Sequence, residues 1–161
     1  MAIKSTFRST IRLFSEDYAN LLSATIINSF IVVLVVLMHR EALVRLSALL
    51  KVMHSQHNLR LVTAVLGVLL AHTAQVWVFA AAYFFMHHAD TWGTLEGNFN
   101  GSFLDCVYFS FSTFTTVGYG DIEPLGALRF LTGIEGLTGL VLITWSASFL
   151  FMKMQRYWTG S

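Results

Sequence analysis

Residues 112–124 read STFTTVGYGDIEP. Gly118 and Gly120 flank Tyr119, hydroxyl and β-branched side chains precede them, and Asp121 follows. A glycine-rich backbone of this kind suits two sorts of chemistry. Its N–H groups can cradle a phosphate, or its carbonyl oxygens can stand in for the water around a cation. The phosphate reading fails on spacing. A Walker A loop requires G-x-x-x-x-G-K-[ST], and no lysine follows Gly120. A dinucleotide loop requires a third glycine where Glu123 stands.

The cation reading fits each residue. A potassium ion entering a narrow passage must shed water, and successive carbonyls aimed at one axis replace it. An ordinary extended run alternates its carbonyls; positive φ at Gly118 and Gly120 lets consecutive ones turn the same way. Thr116 adds a hydroxyl at the inner end, while Val117 and Tyr119 point away and pack behind. One strand cannot surround an ion, and no internal repeat is visible. The expectation is therefore a homotetramer with its axis through this segment.

Such a segment must sit in apolar surroundings, and the composition supplies them. Of 161 residues, 55% are hydrophobic and only 12% charged, against about 25% charged in soluble domains. Three runs are long enough to cross a bilayer, which takes about 20 residues: 20–38, 61–86 and 130–152. A fourth, 103–117, is too short to span and reads as re-entrant. Non-helical backbone survives at that depth only inside protein or beside water. The first long run exceeds a signal-peptide core, so no signal peptide is expected. The lone Cys106 excludes an intrachain disulfide. No His, Cys and carboxylate cluster has metal-ligand spacing, and no span carries a series of arginines that would sense voltage.

The expected fold is an all-α membrane protein. An N-terminal amphipathic segment (1–19) leads to a first transmembrane helix (20–38) and a cytoplasmic interfacial helix (41–58). That helix places Ala42, Leu43, Leu46, Leu49, Leu50 and Met53 on one face. A pore domain (60–152) follows: outer helix 60–86, turret 87–101, pore helix 102–114, filter 115–121 and inner helix 128–152, before a tail at 153–161. Ser102 is a candidate N-cap with Asp105 in the first turn. Arg40, Arg45, Lys51 and Arg60 mark a cytoplasmic loop, and the acidic turret, with Asp90 and Glu96, an external one. Parity then puts the N-terminus outside, although Lys4, Arg8 and Arg12 oppose that. Glu135, the one formal charge well inside a span, is expected to brace the filter through pore-helix hydroxyls. Gly133 and Gly136 are expected to allow close helix packing. Ile143, Ala147 and Phe151 recur every four residues and are candidates for the cavity and gate. Only nine residues follow Met152, so no cytoplasmic ligand-binding domain is expected.

The stretch TTVGYGD, residues 115–121, is similar at every position to the filter signature of the potassium channel family, and the likeness covers residues 61–152. The resemblance implies that Thr116, Val117, Gly118, Tyr119 and Gly120 line the ion path, with K+ held at Thr116, Val117, Gly118 and Tyr119. It implies support from Thr115, Tyr108, Ser112 and Asp121, with the tip of Tyr108 bonding Asp121. Ser112 stands where some members carry a glutamate that braces that aspartate, so filter stability and inactivation are expected to differ. Gly139 aligns with a hinge glycine. The implied function is potassium-selective conduction without catalysis, by a multi-pass cell-membrane protein. A weakly selective cation channel and a non-conducting sensor or assembly module compete with it. The expected partners are further copies of the chain and membrane lipids, with no nucleic acid or small-molecule substrate and no cofactor beyond K+.

Overall fold

The computed structural model describes the backbone of residues 2–53, 57–89 and 91–158, and the side chains of 18–53, 59–89 and 91–155. Asp90 and the side chains of residues 1–17 lie outside the described set. The described residues form four helices and one small ribbon: α1 (Ala2–Val52), α2 (His57–His88), β1 (Leu95–Gly97), α3 (Phe103–Phe114), β2 (Ile122–Pro124) and α4 (Leu128–Trp158). Among them, three stretches are long and apolar enough to cross a membrane: Tyr18–Val52, Leu59–His88 and Leu128–Gln155.

One expectation is corrected. The first span and the interfacial helix are a single helix, with no break between residues 38 and 41. The reason is partly local, because the 51 residues of α1 include no glycine or proline to interrupt the ladder. It is also tertiary. His39, at the expected break, is fully buried at 0% exposure and bonded to Gln75 of α2. Beyond it, Leu43, Leu46 and Leu50 pack against Ala64, Val68 and Phe149. The face expected to lie on the membrane surface is thus largely covered by α2 and α4 instead, although Leu49 stays exposed. A helix of this length runs about 77 Å, far more than the roughly 30 Å of hydrocarbon in a bilayer, so α1 continues beyond the apolar layer.

Two cross-links set the direction of α1. Trp92 Nε1, in the turret, donates to Ser23 Oγ at 3.0 Å. Lys153 Nζ, late in α4, donates to Ser47 Oγ at 2.7 Å. Hence α1 descends from the turret side alongside α4 and antiparallel to α2. The ribbon was not expected. β1 and β2 pair antiparallel with Leu95 opposite Pro124 and Gly97 opposite Ile122. Strands of three residues carry too few alternations to announce themselves in a sequence.

The main core lies between α2, α3 and α4, with Ala24, Ile31 and Val35 of α1 packed into it. Tyr83 meets Phe109 edge-on at 5.0 Å, and Phe79 and Phe114 close the layer toward the inner side. Here the glycine expectation is also corrected. Gly133 faces open space, and a Cβ on Gly136 would make only ordinary contact, 3.6 Å from Thr113 O. The close approach is at Gly139, where a Cβ would fall 2.1 Å from the carbonyl oxygen of Phe114. Gly139 lets the inner helix touch the last turn of α3. Gly139→Ala is expected to abolish the folded, assembled species on size-exclusion chromatography; Gly133→Ala, which meets nothing within the chain, is expected to leave it intact. Asn28 has 1% exposure, and neither atom of its amide has a partner among the described residues. Removing a buried, unsatisfied amide recovers its desolvation cost, so Asn28→Leu is expected to raise stability by about 1 kcal/mol, read as a higher thermal midpoint in detergent.

Candidate functional site

α3 is the platform. Its first turn is capped by Ser102 Oγ, which accepts from the Asp105 amide at 3.1 Å. Asp105 Oδ2 in turn accepts from Asn100 N at 2.9 Å. That backbone bond, helped by Ser102, holds the Asp105 carboxyl below the usual carboxylate range. The helix stops at Thr115, whose hydroxyl turns back to Phe111 O at 2.7 Å. Thr115 therefore supports the platform and does not face forward.

From there the chain reverses along α3, and four consecutive amides point back at it. Thr116 N donates to Thr113 O at 2.9 Å, and Val117 N and Gly118 N donate to Ser112 O at 2.9 and 3.2 Å. Tyr119 N donates to Ser112 Oγ at 3.2 Å. The carbonyls of residues 116–119 accept no bond among the described residues. The four donors are thus satisfied within the chain, and the four acceptors are not.

The backbone dihedrals explain how. Thr116, Gly118 and Gly120 have φ of +59°, +56° and +78°, while Val117 and Tyr119 between them do not have positive φ. Alternating left- and right-handed residues rotate successive peptide planes so that the carbonyls share a side. Sequence reasoning assigned this to the two glycines and missed Thr116. A β-branched residue in the left-handed region is an outlier, and such strain clusters at functional sites. Nothing in the residue type signals it; the alternation needs every second position, and Thr116 occupies one.

The remaining predicted residues fall into place around this ladder. Tyr108 Oη donates to Asp121 Oδ2 at 3.0 Å, and the Tyr108 and Tyr119 rings stack 6.2 Å apart at 6°. Ser112 does not reach Asp121; through its carbonyl and hydroxyl it takes three filter amides. Asp121 is held additionally by its own carbonyl, which accepts from Asn98 N at 2.8 Å beside the ribbon. Glu135 is wholly buried. Tyr83 Oη donates to its Oε2 at 2.6 Å, Ser110 Oγ bonds its Oε1, and Ser110 also bonds Val76 O at 2.9 Å. This knot ties α2, α3 and α4 behind the filter. Tyr83 was not anticipated, because a tyrosine in an apolar run looks like any aromatic until its partner is seen. Ile143, Ala147 and Phe151 lie exposed along α4, whereas Gly139 is buried against Phe114.

The profile of a family described as "Ion channel" matches residues 71–156, more than half of the chain. The chain belongs to this ion-channel family. It is also 36% identical over 61 residues to the inward rectifier potassium channel Kirbac3.1 of Paramagnetospirillum magnetotacticum. That stretch covers 37% of this chain and 21% of the relative, so only about a fifth of the relative's length is matched. No solved structure matches the chain. It is an integral membrane protein and not an enzyme. The matched region of this ion-channel chain holds α3, the filter segment and α4, and leaves α1 outside.

The lowered carboxyl of Asp105 makes a pH prediction. A depressed folded value stabilises the folded state above the unfolded value of about 4, and the contribution fades as pH falls through the lower folded value. The fall in thermal midpoint between neutral and acid pH is therefore expected to be smaller in Asp105→Asn than in the parent chain, with the parent the more stable at neutral pH and the two converging as pH falls through the lowered folded value.

Proposed function

We propose that this chain is one quarter of a potassium-selective channel of the cell membrane, with residues 116–120 as its filter. The observation that carries the reading is the division of this backbone, four amides tied back to α3 and four carbonyls left without a donor among the described residues. A potassium ion loses part of its hydration shell on entering such a ring and recovers the energy from carbonyl oxygens. The Thr116 hydroxyl adds an oxygen at the inner end. Stacked levels allow an arriving ion to displace the next, so binding need not be tight. The C-terminal end of α3 carries partial negative charge and favours a cation beneath the filter.

Four copies follow from the same geometry. In the single chain, Val117 and Tyr119 are 54% and 69% exposed, although both are apolar at this depth. Together with Leu104, Val107, Tyr108 and Phe111 they line an open apolar cleft. Three further copies around one axis cover that cleft and complete the ring of carbonyls. The polypeptide brings no other cofactor to the task; the ions themselves fill the filter. Along the exit, Ile143, Ala147 and Phe151 line the cavity and inner mouth, with Phe151 as an apolar constriction that gates by dewetting.

The purified protein in liposomes is expected to pass potassium, to be blocked by barium, and to pass little sodium. Equal potassium and sodium fluxes would establish a weakly selective cation channel instead, and no flux under any pH or lipid condition a non-conducting module. Native mass spectrometry is expected to show a tetramer; a conducting monomer or dimer would overturn the assembly.

A further inference from the structure

Away from the filter, four polar side chains meet inside the helical bundle. His39 of α1, Gln75 of α2 and Ser146 of α4 are buried at 0%, 1% and 3% exposure, and His72 of α2 is half-buried. Gln75 Nε2 lies 2.8 Å from His39 Nδ1, and Gln75 Oε1 lies 3.0 Å from His72 Nδ1. Ser146 Oγ lies 3.0 Å from His72 Nε2 and 3.4 Å from His39 Nε2. The two imidazoles stack, with centroids 5.3 Å apart.

Counting protons closes the ring. An amide nitrogen only donates and an amide oxygen only accepts. His39 therefore accepts at Nδ1 and carries its proton on Nε2, which donates to Ser146. The serine hydroxyl donates to His72 Nε2, and His72 donates from Nδ1 to Gln75 Oε1. Each of the four groups gives one hydrogen bond and takes one. Turning the Gln75 amide over reverses all four bonds and leaves the ring closed. In both arrangements the histidines are neutral and hold opposite tautomers.

We propose that this ring is a proton-operated clasp that fastens α1 to the pore module. One added proton makes an imidazole a donor at both nitrogens. The Gln75 amide and the other imidazole can then realign only by turning both Nε2–H groups onto Ser146 and displacing the serine proton from its acceptor. The closed circuit is lost, and a charge stands in an apolar enclosure. Among the described residues no counter-charge faces it. There α3 contributes the Phe114 ring, 5.6 Å from His72, and α4 adds the Trp145 ring, 5.3 Å from His39. Glu135 lies about three turns away along α4, engaged with Tyr83 and Ser110. Lys153 lies about two turns away in the other direction, on Ser47. Arg40 and Arg45 meet Glu41 on the exposed side of α1. Half-buried His72 is the entry point for the proton. Because α1 precedes the region matched by the family profile, the clasp is a feature this chain adds to its pore module. Ser146 places its effect on the inner half of α4, past Gly139.

The test uses the full chain in liposomes and does not depend on potassium selectivity. Nitrogen NMR of labelled histidines is expected to show opposite tautomers on His39 and His72 at neutral pH. Spin labels at Leu37→Cys and Leu70→Cys, both exposed positions, are expected to report one narrow α1–α2 distance at neutral pH. That narrow distance is expected to be lost as an imidazolium forms on acidification below the ordinary histidine value of about 6.5. Ser146→Ala opens the ring while keeping both histidines, so the transition is expected to move to higher pH. His39→Phe with His72→Phe is expected to lose the pH response. Like tautomers on the two rings would overturn the clasp. So would a distance that stays narrow after the imidazolium forms, a pair that stays neutral down to about pH 5, or an unmoved midpoint in Ser146→Ala.

Discussion

The rest of the structure depends on the attachment of four consecutive amides, those of residues 116–119, to the end of α3. Backbone donors and acceptors are equally numerous, and a buried segment must satisfy both. Here the donors are satisfied within the chain, and the acceptors have no donor among the described residues. Everything nearby preserves that separation. Ser112 takes three of the four amides, Tyr108 holds Asp121 at the outer end, and the β1–β2 ribbon steadies the strand that leaves the filter. Gly139 is a glycine because α4 must pass within reach of the Phe114 carbonyl at the foot of the same platform.

Behind the platform lie two polar centres with different characters. Glu135 joins three helices through Tyr83 and Ser110. His39, His72, Gln75 and Ser146 join the added helix α1 to α2 and α4. Phe114 links them to the segment 116–120, since its ring touches His72 and its residue ends the helix from which that segment springs. Polar groups in such surroundings are costly unless every one finds a partner. That cost makes their geometry specific in a way that apolar packing, tolerant of volume-conserving exchange, is not.

Much of the architecture was legible from residue types. Long apolar runs marked three crossings, and the short run before Gly118 marked a re-entrant helix. Ser102 and Asp105 marked the start of that helix, and the structure places both in its capping turn. What misled was amphipathicity after residue 40. A stripe of leucines looks the same whether it meets lipid or two other helices, so the continuous α1 was not foreseen. Likewise Gly133, Gly136 and Gly139 are indistinguishable by spacing, and only the approach of Phe114 separates them.

By itself, then, the sequence determined the membrane class, the approximate spans and a segment whose glycines permit aligned carbonyls. Those follow from hydrophobicity and from local backbone freedom, which are properties of neighbouring residues in the chain. Only the tertiary structure decided that Thr116 shares the left-handed alternation, that Ser112 serves amides and not Asp121, and that α1 docks through His39. Each is a pairing of specific atoms across elements, and which donor meets which acceptor is settled only when the helices are in place.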